Sequence, residues 1–124
     1  MKDNFFRRTW AEIDLSAICH NYRSLRDKVD EKSNIIAVVK ADAYGHGAIQ
    51  VARLLEDKCA FFGVSSMLEA LELRQARILN PILILGHTRV KAFETAIREK
   101  IRPTIFRWED AVALSNAAVA AGIP

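Results

Sequence analysis

The sequence is poor in the residues that define several protein classes. Its two cysteines, Cys19 and Cys59, lie far apart and form no C-x-x-C motif. Two such residues are too few for a disulfide framework or a cysteine-rich metal site. We therefore expect reduced, packed thiols and no metal.

Long apolar runs and blocks of one charge are missing as well. No segment approaches the roughly 20 apolar residues that cross a bilayer, and charges flank Phe5 and Phe6 where a signal peptide would be apolar. Eighteen Lys and Arg are interleaved with fifteen Asp and Glu, for a net charge of +3. This pattern argues against nucleic acid or membrane partners and predicts a protein of the cytoplasm.

What is present is a regular alternation of two patterns. Four short apolar runs, rich in β-branched residues, recur about 21 to 26 residues apart, at 35–39, 61–64, 82–85 and 103–106. The segments between them have helical periodicity. Ile18, Tyr22, Leu25 and Val29, for example, form one stripe on a helix of about 14 residues. The alternation predicts repeated strand and helix units.

Three further signals mark helix ends. Ser66 and Glu69 have the spacing of a capping box, in which serine accepts from the backbone and glutamate reaches back. Thr88 is a candidate cap for the helix over 92–97, and Gly122 suits the left-handed position after the last helix.

Repeated units of this kind predict an α/β fold with parallel strands and helices packed outside. Both an open doubly wound sheet and an eightfold barrel fit this pattern. Four units fit about half of a TIM-type barrel, truncated before closure, and residue 124 lies where a fifth strand is expected.

The first apolar run ends on Lys40. In a parallel α/β barrel this strand end faces the active site, where an unprotonated lysine amine can attack a carbonyl and form a Schiff base. The alternative is a lysine that only extends from the strand end into solvent.

The loop after Lys40 favours a binding function. Tyr44 stands beside Gly45 and Gly47, which allow the backbone to approach a ligand closely, and a phenol with exposed amides suits a phosphate. The third glycine of the dinucleotide fingerprint is missing. We interpret His46, between the glycines, as structural, because no partner that would orient it is visible.

The segment AVVKADAYGHGA, residues 37–48, resembles the pyridoxal-phosphate attachment motif of bacterial alanine racemases. Residues 9–26, 63–74 and 81–86 resemble other parts of the same family. The resemblance implies a fold-type III enzyme, an eight-unit barrel followed by a β-rich C-terminal domain, of which residues 1–124 would be the N-terminal part. In that case residues 9–15 would be an edge strand belonging with the absent domain.

The resemblance also assigns roles to three residues. Lys40 would hold pyridoxal 5′-phosphate as an internal aldimine and act as one of two bases that interconvert L- and D-alanine for peptidoglycan. Tyr44 would contact the phosphate, and Leu85 would lie near the cofactor ring, although Leu85 also fits plain barrel core.

The family's second base is a tyrosine supplied across a homodimer interface, and neither Tyr22 nor Tyr44 fits that role. We therefore expect the isolated chain to be inactive and to self-associate. Two alternatives stay open. One is a racemase of another amino acid, such as serine, and the other is a non-catalytic pyridoxal-phosphate-binding or interaction half barrel.

Overall fold

The computed structural model describes residues 9–123, and its centre is one sheet of four parallel strands. The strands are β1 (Ile36–Val38), β2 (Phe61–Val64), β3 (Ile82–His87) and β4 (Ile101–Thr104), in the order β1-β2-β3-β4. The predicted α/β fold with sequential parallel strands is confirmed, and the sheet is not closed.

The last strand begins earlier than the sequence predicts. Ile101 pairs with Ile82 and is buried, whereas Ile105 and Phe106 are exposed beyond the strand. Burial of Ile101 in the core therefore sets this boundary. Pro103 lacks an N–H and is tolerated within β4, because β4 is an edge strand of this sheet.

Helices alternate with the strands as expected. They are α1 (Leu15–Arg26), the short segment α2 (Lys40–Gly45), α3 (Ala48–Leu55), α4 (Met67–Gln75), α5 (Phe93–Arg98) and α6 (Trp108–Ala120). A short 3-10 turn, Val90–Ala92, precedes α5.

The core lies between the helices and one face of the sheet. Strand residues alternate between two faces, so every second residue points into this core. Phe62, Val64, Ile82 and Ile84 are almost completely buried there. The other face, which we call the inner face, carries residues that stay partly exposed, among them Ile36, Val38 and Leu85.

Helix α1 is shorter than predicted, and only half of its apolar stripe is packed. Ile18 and Tyr22 lie against the core, while Leu25 and Val29 are exposed and the helix ends at Arg26. Asp14 caps the helix by accepting from the backbone of Ser16 and Ala17. Residues 9–14 form no strand in the described chain, so their pairing with a further domain stays a prediction.

The predicted helix ends are correct in part. Gly122 follows α6 with φ +68°, as expected. Thr88 is not a cap: the turn after it begins at Val90, and the Thr88 hydroxyl is buried without a hydrogen-bond partner in residues 9–123. Ser66 does cap α4, accepting from the Glu69 N–H at 3.4 Å. The Ser66 N–H also helps to lower the pKa of Glu69, as a capping box predicts, but the carboxylate in addition bonds to Ser65 and Ala41.

Both cysteines are free, as predicted. Cys59 is buried, and this burial raises the pKa of its thiol. Among the described residues no helix has the length and apolar character needed to cross a membrane.

We predict that Gly86→Ala lowers the free energy of unfolding by about 1 to 3 kcal/mol. A Cβ at Gly86 would lie 2.5 Å from the backbone carbonyl oxygen of Ser65, so one of the two strand ends must move. Gly63→Ala is the matched control, because its Cβ would meet side chains at ordinary contact distances, 3.4 Å and beyond. Urea unfolding of both variants checks the prediction, and equal stability of the two would contradict it.

Candidate active site

The candidate site lies at the edge where the four strands have their carboxyl ends. Because all four strands are parallel, the residues that follow them meet at this edge. Lys40 follows β1, Ser65 follows β2 directly, His87 ends β3, and Arg107 lies after β4, directly before α6. The structure thus brings Lys40 to the edge where the sequence analysis expected it.

The backbone after Lys40 has an unusual conformation. Ala41, Asp42, Ala43 and Tyr44 all have φ between 50° and 55°, so four consecutive residues other than glycine form a left-handed turn. Such a conformation costs about 1–2 kcal/mol per residue, or roughly 4–8 kcal/mol for the four. The sequence indicates backbone freedom only at the glycines and does not reveal this turn, since alanine and tyrosine carry no signal for it.

Hydrogen bonds within the segment hold the left-handed turn from one side. The Ala43 N–H donates to the Val39 carbonyl at 2.9 Å, and the Gly47 N–H donates to the Asp42 carbonyl at 2.9 Å. The Asp42 carboxylate accepts from the Ala48 N–H at 2.6 Å and so binds the first turn of α3. The turn and the start of α3 therefore form one unit.

A second carboxylate holds the turn from the neighbouring unit. Glu69 accepts from the Ala41 N–H at 2.9 Å, and from the N–H and hydroxyl of Ser65 at 2.6 and 2.8 Å. Partial burial acts to raise the pKa of Glu69, but the hydrogen bonds from Ala41 and Ser65 outweigh it and lower the pKa. The carboxylate is therefore ionised at neutral pH.

Lys40 and Tyr44 lie side by side across this turn. The Lys40 amine is 5.9 Å from the centre of the Tyr44 ring, and Lys40 is half-buried. Tyr44 is 62% exposed. An amine and a phenol are thus available on the same side of the site.

Leu85 lies on the inner face of the sheet, beside Val38. Its Cδ1 and the Cγ2 of Val38 would each be 3.4 Å from a Cβ at Gly63, so the two side chains come together over the glycine. Leu85 is 40% exposed. Together with Val38 it forms an apolar floor at the carboxyl end of the inner face.

His46 makes a contact within its own loop. Its Nδ1 lies 2.9 Å from the Ala43 carbonyl oxygen, and the residue is exposed. This contact agrees with the structural interpretation of His46.

An ion pair at the same edge was missed by the sequence analysis. Arg107 donates two hydrogen bonds to the buried Asp110, at 3.0 and 2.9 Å, and His87 Nε2 lies 3.8 Å from the same carboxylate. The hydrogen bonds from Arg107 lower the pKa of Asp110. The i, i+3 spacing of Arg107 and Asp110 was the available signal. The pair anchors the first turn of α6.

The described residues contain no group of three or more His, Cys, Asp or Glu side chains arranged to hold a metal ion. The chemistry that this edge offers is that of an amine, a phenol and an apolar floor.

Four parallel β/α units with a lysine at their carboxyl edge define the chain as part of an α/β barrel domain. Residues 13–124 match the family model described as alanine racemase, N-terminal domain. The chain belongs to the alanine racemase family, and its open sheet is the N-terminal part of that family's TIM-type barrel.

Named relatives agree with this assignment. The chain is 42% identical to alanine racemase 1 of Oceanobacillus iheyensis over 119 residues, which are 95% of this chain and 32% of that protein. It superposes with a TM-score of 0.90 and 42% identity on alanine racemase from Clostridium difficile 630 in complex with cycloserine, over 94% of this chain and 32% of the other. The chain spans about a third of the length of these relatives.

A more distant neighbour has a different name. A histidine racemase from Leuconostoc mesenteroides subsp. sake superposes with a TM-score of 0.78 and 28% identity, over 89% of this chain and 30% of that chain.

Proposed function

We propose that this chain supplies the lysine-bearing part of an enzyme that interconverts L- and D-alanine with pyridoxal 5′-phosphate. One observation carries the proposal: in a chain of the alanine racemase family, the Lys40 amine lies at the carboxyl edge of the sheet with the Tyr44 phenol beside it. The resemblance of residues 37–48 to the cofactor-attachment motif points to the same lysine.

The residues present fit this cofactor, which carries an aldehyde, an aromatic ring and a phosphate. The Lys40 amine is the group that would bond to the aldehyde carbon. The apolar floor of Val38 and Leu85 suits one face of a ring, and the exposed Tyr44 hydroxyl suits the phosphate as a donor. When bound, the cofactor supplies an electron sink for the carbanion that forms when the α-proton is removed.

Lys40 has two roles in this proposal. It would hold the cofactor, and its Nζ, when not bonded to the cofactor, would remove or return the α-proton on one face of the α-carbon. Val38 and Leu85 help to exclude water from that face, while Tyr44 fixes the phosphate end.

The opposite face needs a second base, and the chain's two tyrosines do not supply it. The Tyr22 hydroxyl donates to the Lys58 carbonyl, on a helix packed against the outside of the sheet. Tyr44 lies on the same side as the Lys40 amine. We propose that the second base is a tyrosine from outside these 124 residues, supplied by the partner in a homodimer.

We propose that the enzyme works in the cytoplasm and supplies peptidoglycan synthesis. D-alanine formed in the cytoplasm is a building block for peptidoglycan, and alanine is the small-molecule partner of the enzyme. A racemase of another amino acid is the second candidate, favoured by the histidine racemase that shares the fold. Assay of the longer protein against alanine, serine and histidine separates the two.

We expect Lys40 to be the residue that binds pyridoxal 5′-phosphate. After incubation and borohydride reduction of the chain, peptide mass spectrometry should find the cofactor on Lys40 in preference to other lysines, because the Lys40 amine lies beside the Tyr44 ring at the edge that carries the apolar floor. The absorbance band near the visible edge should vanish in Lys40→Ala and persist in Lys91→Ala, a change at an exposed lysine. A band that survives Lys40→Ala would refute the assignment.

Tyr44→Phe should weaken cofactor binding about three- to tenfold, because the phosphate loses one hydrogen bond. Tyr22→Phe is the control: it removes the bond to the Lys58 carbonyl and should lower the free energy of unfolding by about 1 kcal/mol without changing affinity. Fluorescence titration with the cofactor measures the affinities. The reverse ranking of the two variants would show that Tyr44 does not contact the phosphate.

The isolated 124-residue chain should interconvert L- and D-alanine negligibly even with added cofactor, since it lacks the opposite-face base. Chiral chromatography of alanine after long incubation measures this. Turnover well above that of the Lys40→Ala variant would mean that the chain contains both bases.

A further inference from the structure

The Glu69 carboxylate is shared between two neighbouring strand ends. It accepts from the Ala41 N–H beyond β1, and from the N–H and the hydroxyl of Ser65 beyond β2. Three donors converge on one half-buried side chain from α4. Hydrogen bonds to a charged acceptor are about twice as strong as neutral ones, so this group is a strong local anchor.

The position of this anchor matters because Ala41, whose N–H it binds, directly follows Lys40 in the sequence. The Ala41 N–H belongs to the peptide group that joins Lys40 to Ala41, so Glu69 fixes the plane on the carboxyl side of Lys40. One residue before Lys40, the Val39 N–H donates to the Gly63 carbonyl at 2.8 Å. The chain is therefore bonded to the second β/α unit on either side of Lys40, through Val39 and Ala41.

The same anchor opposes the conformational cost of the left-handed turn. Ala41 is the first of the four residues with positive φ, and the other bonds of the turn start at Asp42 and Ala43. The bond from Ala41 to Glu69 thus holds the first residue of the turn from outside the segment, and the bond from Ala43 to the Val39 carbonyl holds the beginning of the turn from within it. A capping box alone would keep this carboxylate at the end of its own helix, but here it also reaches across to the lysine loop.

We propose that Glu69 is a positioning residue for Lys40, which holds the Lys40–Ala41 peptide group through the Ala41 N–H and so sets the direction of the amine toward the inner face. This inference rests on the proposed function of Lys40. It assigns to Glu69 no contact with the substrate or the cofactor.

The test compares Glu69→Gln with Glu72→Gln in the 124-residue chain. Glutamine at 69 keeps the shape but loses the charge, and its NH₂ group faces donors. Glu72 is exposed on the same helix, which makes its variant the matched control. Two quantities are measured: hydrogen exchange at the Ala41 amide, and the fraction of Lys40 among all lysines labelled by pyridoxal 5′-phosphate and borohydride.

In Glu69→Gln we expect exchange at Ala41 to be about tenfold faster, as the loss of a bond to a charged acceptor implies. We also expect the preference for Lys40 in the labelling to fall severalfold, with both readings unchanged in Glu72→Gln. Unchanged exchange at Ala41 would overturn the proposal. Faster exchange with undiminished labelling of Lys40 would overturn it too, because Glu69 would then be purely structural.

Two further results keep the test decisive. If Glu69→Gln unfolds, as far-UV circular dichroism would show, Ser65→Ala replaces it. This variant removes one donor from the carboxylate and should give smaller changes in the same directions, while no change at Ala41 or Lys40 would overturn the proposal.

If the unsubstituted chain shows no preference for Lys40, the proposed function itself fails and the positioning role falls with it. Exchange at Ala41 still reports separately whether Glu69 holds the turn.

Discussion

The candidate site depends on one strained piece of backbone, the left-handed turn that begins directly after Lys40. Four residues other than glycine hold positive φ there, which an isolated peptide would not maintain. Two carboxylates oppose the cost: Asp42 bonds to the start of α3, and Glu69 bonds to the start of the turn. The position of Lys40 therefore depends on contacts with α3 and α4, which both come after it in the chain.

The left-handed turn depends on the parallel pairing of the strands. Glu69 can reach Ala41 because β1 and β2 lie side by side with their carboxyl ends at one edge, and Gly63 pairs with Val38 between them. At the other end of the strands, where their amino ends lie, Arg74 has a comparable role. Its guanidinium donates to the carbonyls of Asn80, Glu99 and Lys100. One long side chain of α4 thus acts at each end of the sheet.

Most of the fold could be predicted from the sequence, because it rests on local patterns. The four apolar runs became four strands, and Ser66 and Gly122 lie at helix ends as their residue types predict. The errors arose where a tertiary contact overrides a local preference. Thr88 resembles a cap but is packed inside, and the spacing of Ser66 and Glu69 does not reveal the bond of Glu69 to Ala41. A partner 28 residues away cannot be read from spacing within one helix.

The closeness of Lys40 and Tyr44 could be expected from the sequence for a different reason. Lys40 and Tyr44 are four residues apart in one motif, and they are also close in the structure. The turn between them is tight and brings the amine within 5.9 Å of the ring centre. The left-handed turn itself gave no signal, since its residues are alanine, aspartate and tyrosine. The same tightness limits the chemistry that the chain contains. A turn that keeps Tyr44 beside the Lys40 amine cannot also put that phenol on the opposite face of a bound substrate. In the proposed reaction, Lys40 would therefore serve one face of the substrate, since Tyr22 is bonded on the outside of the sheet.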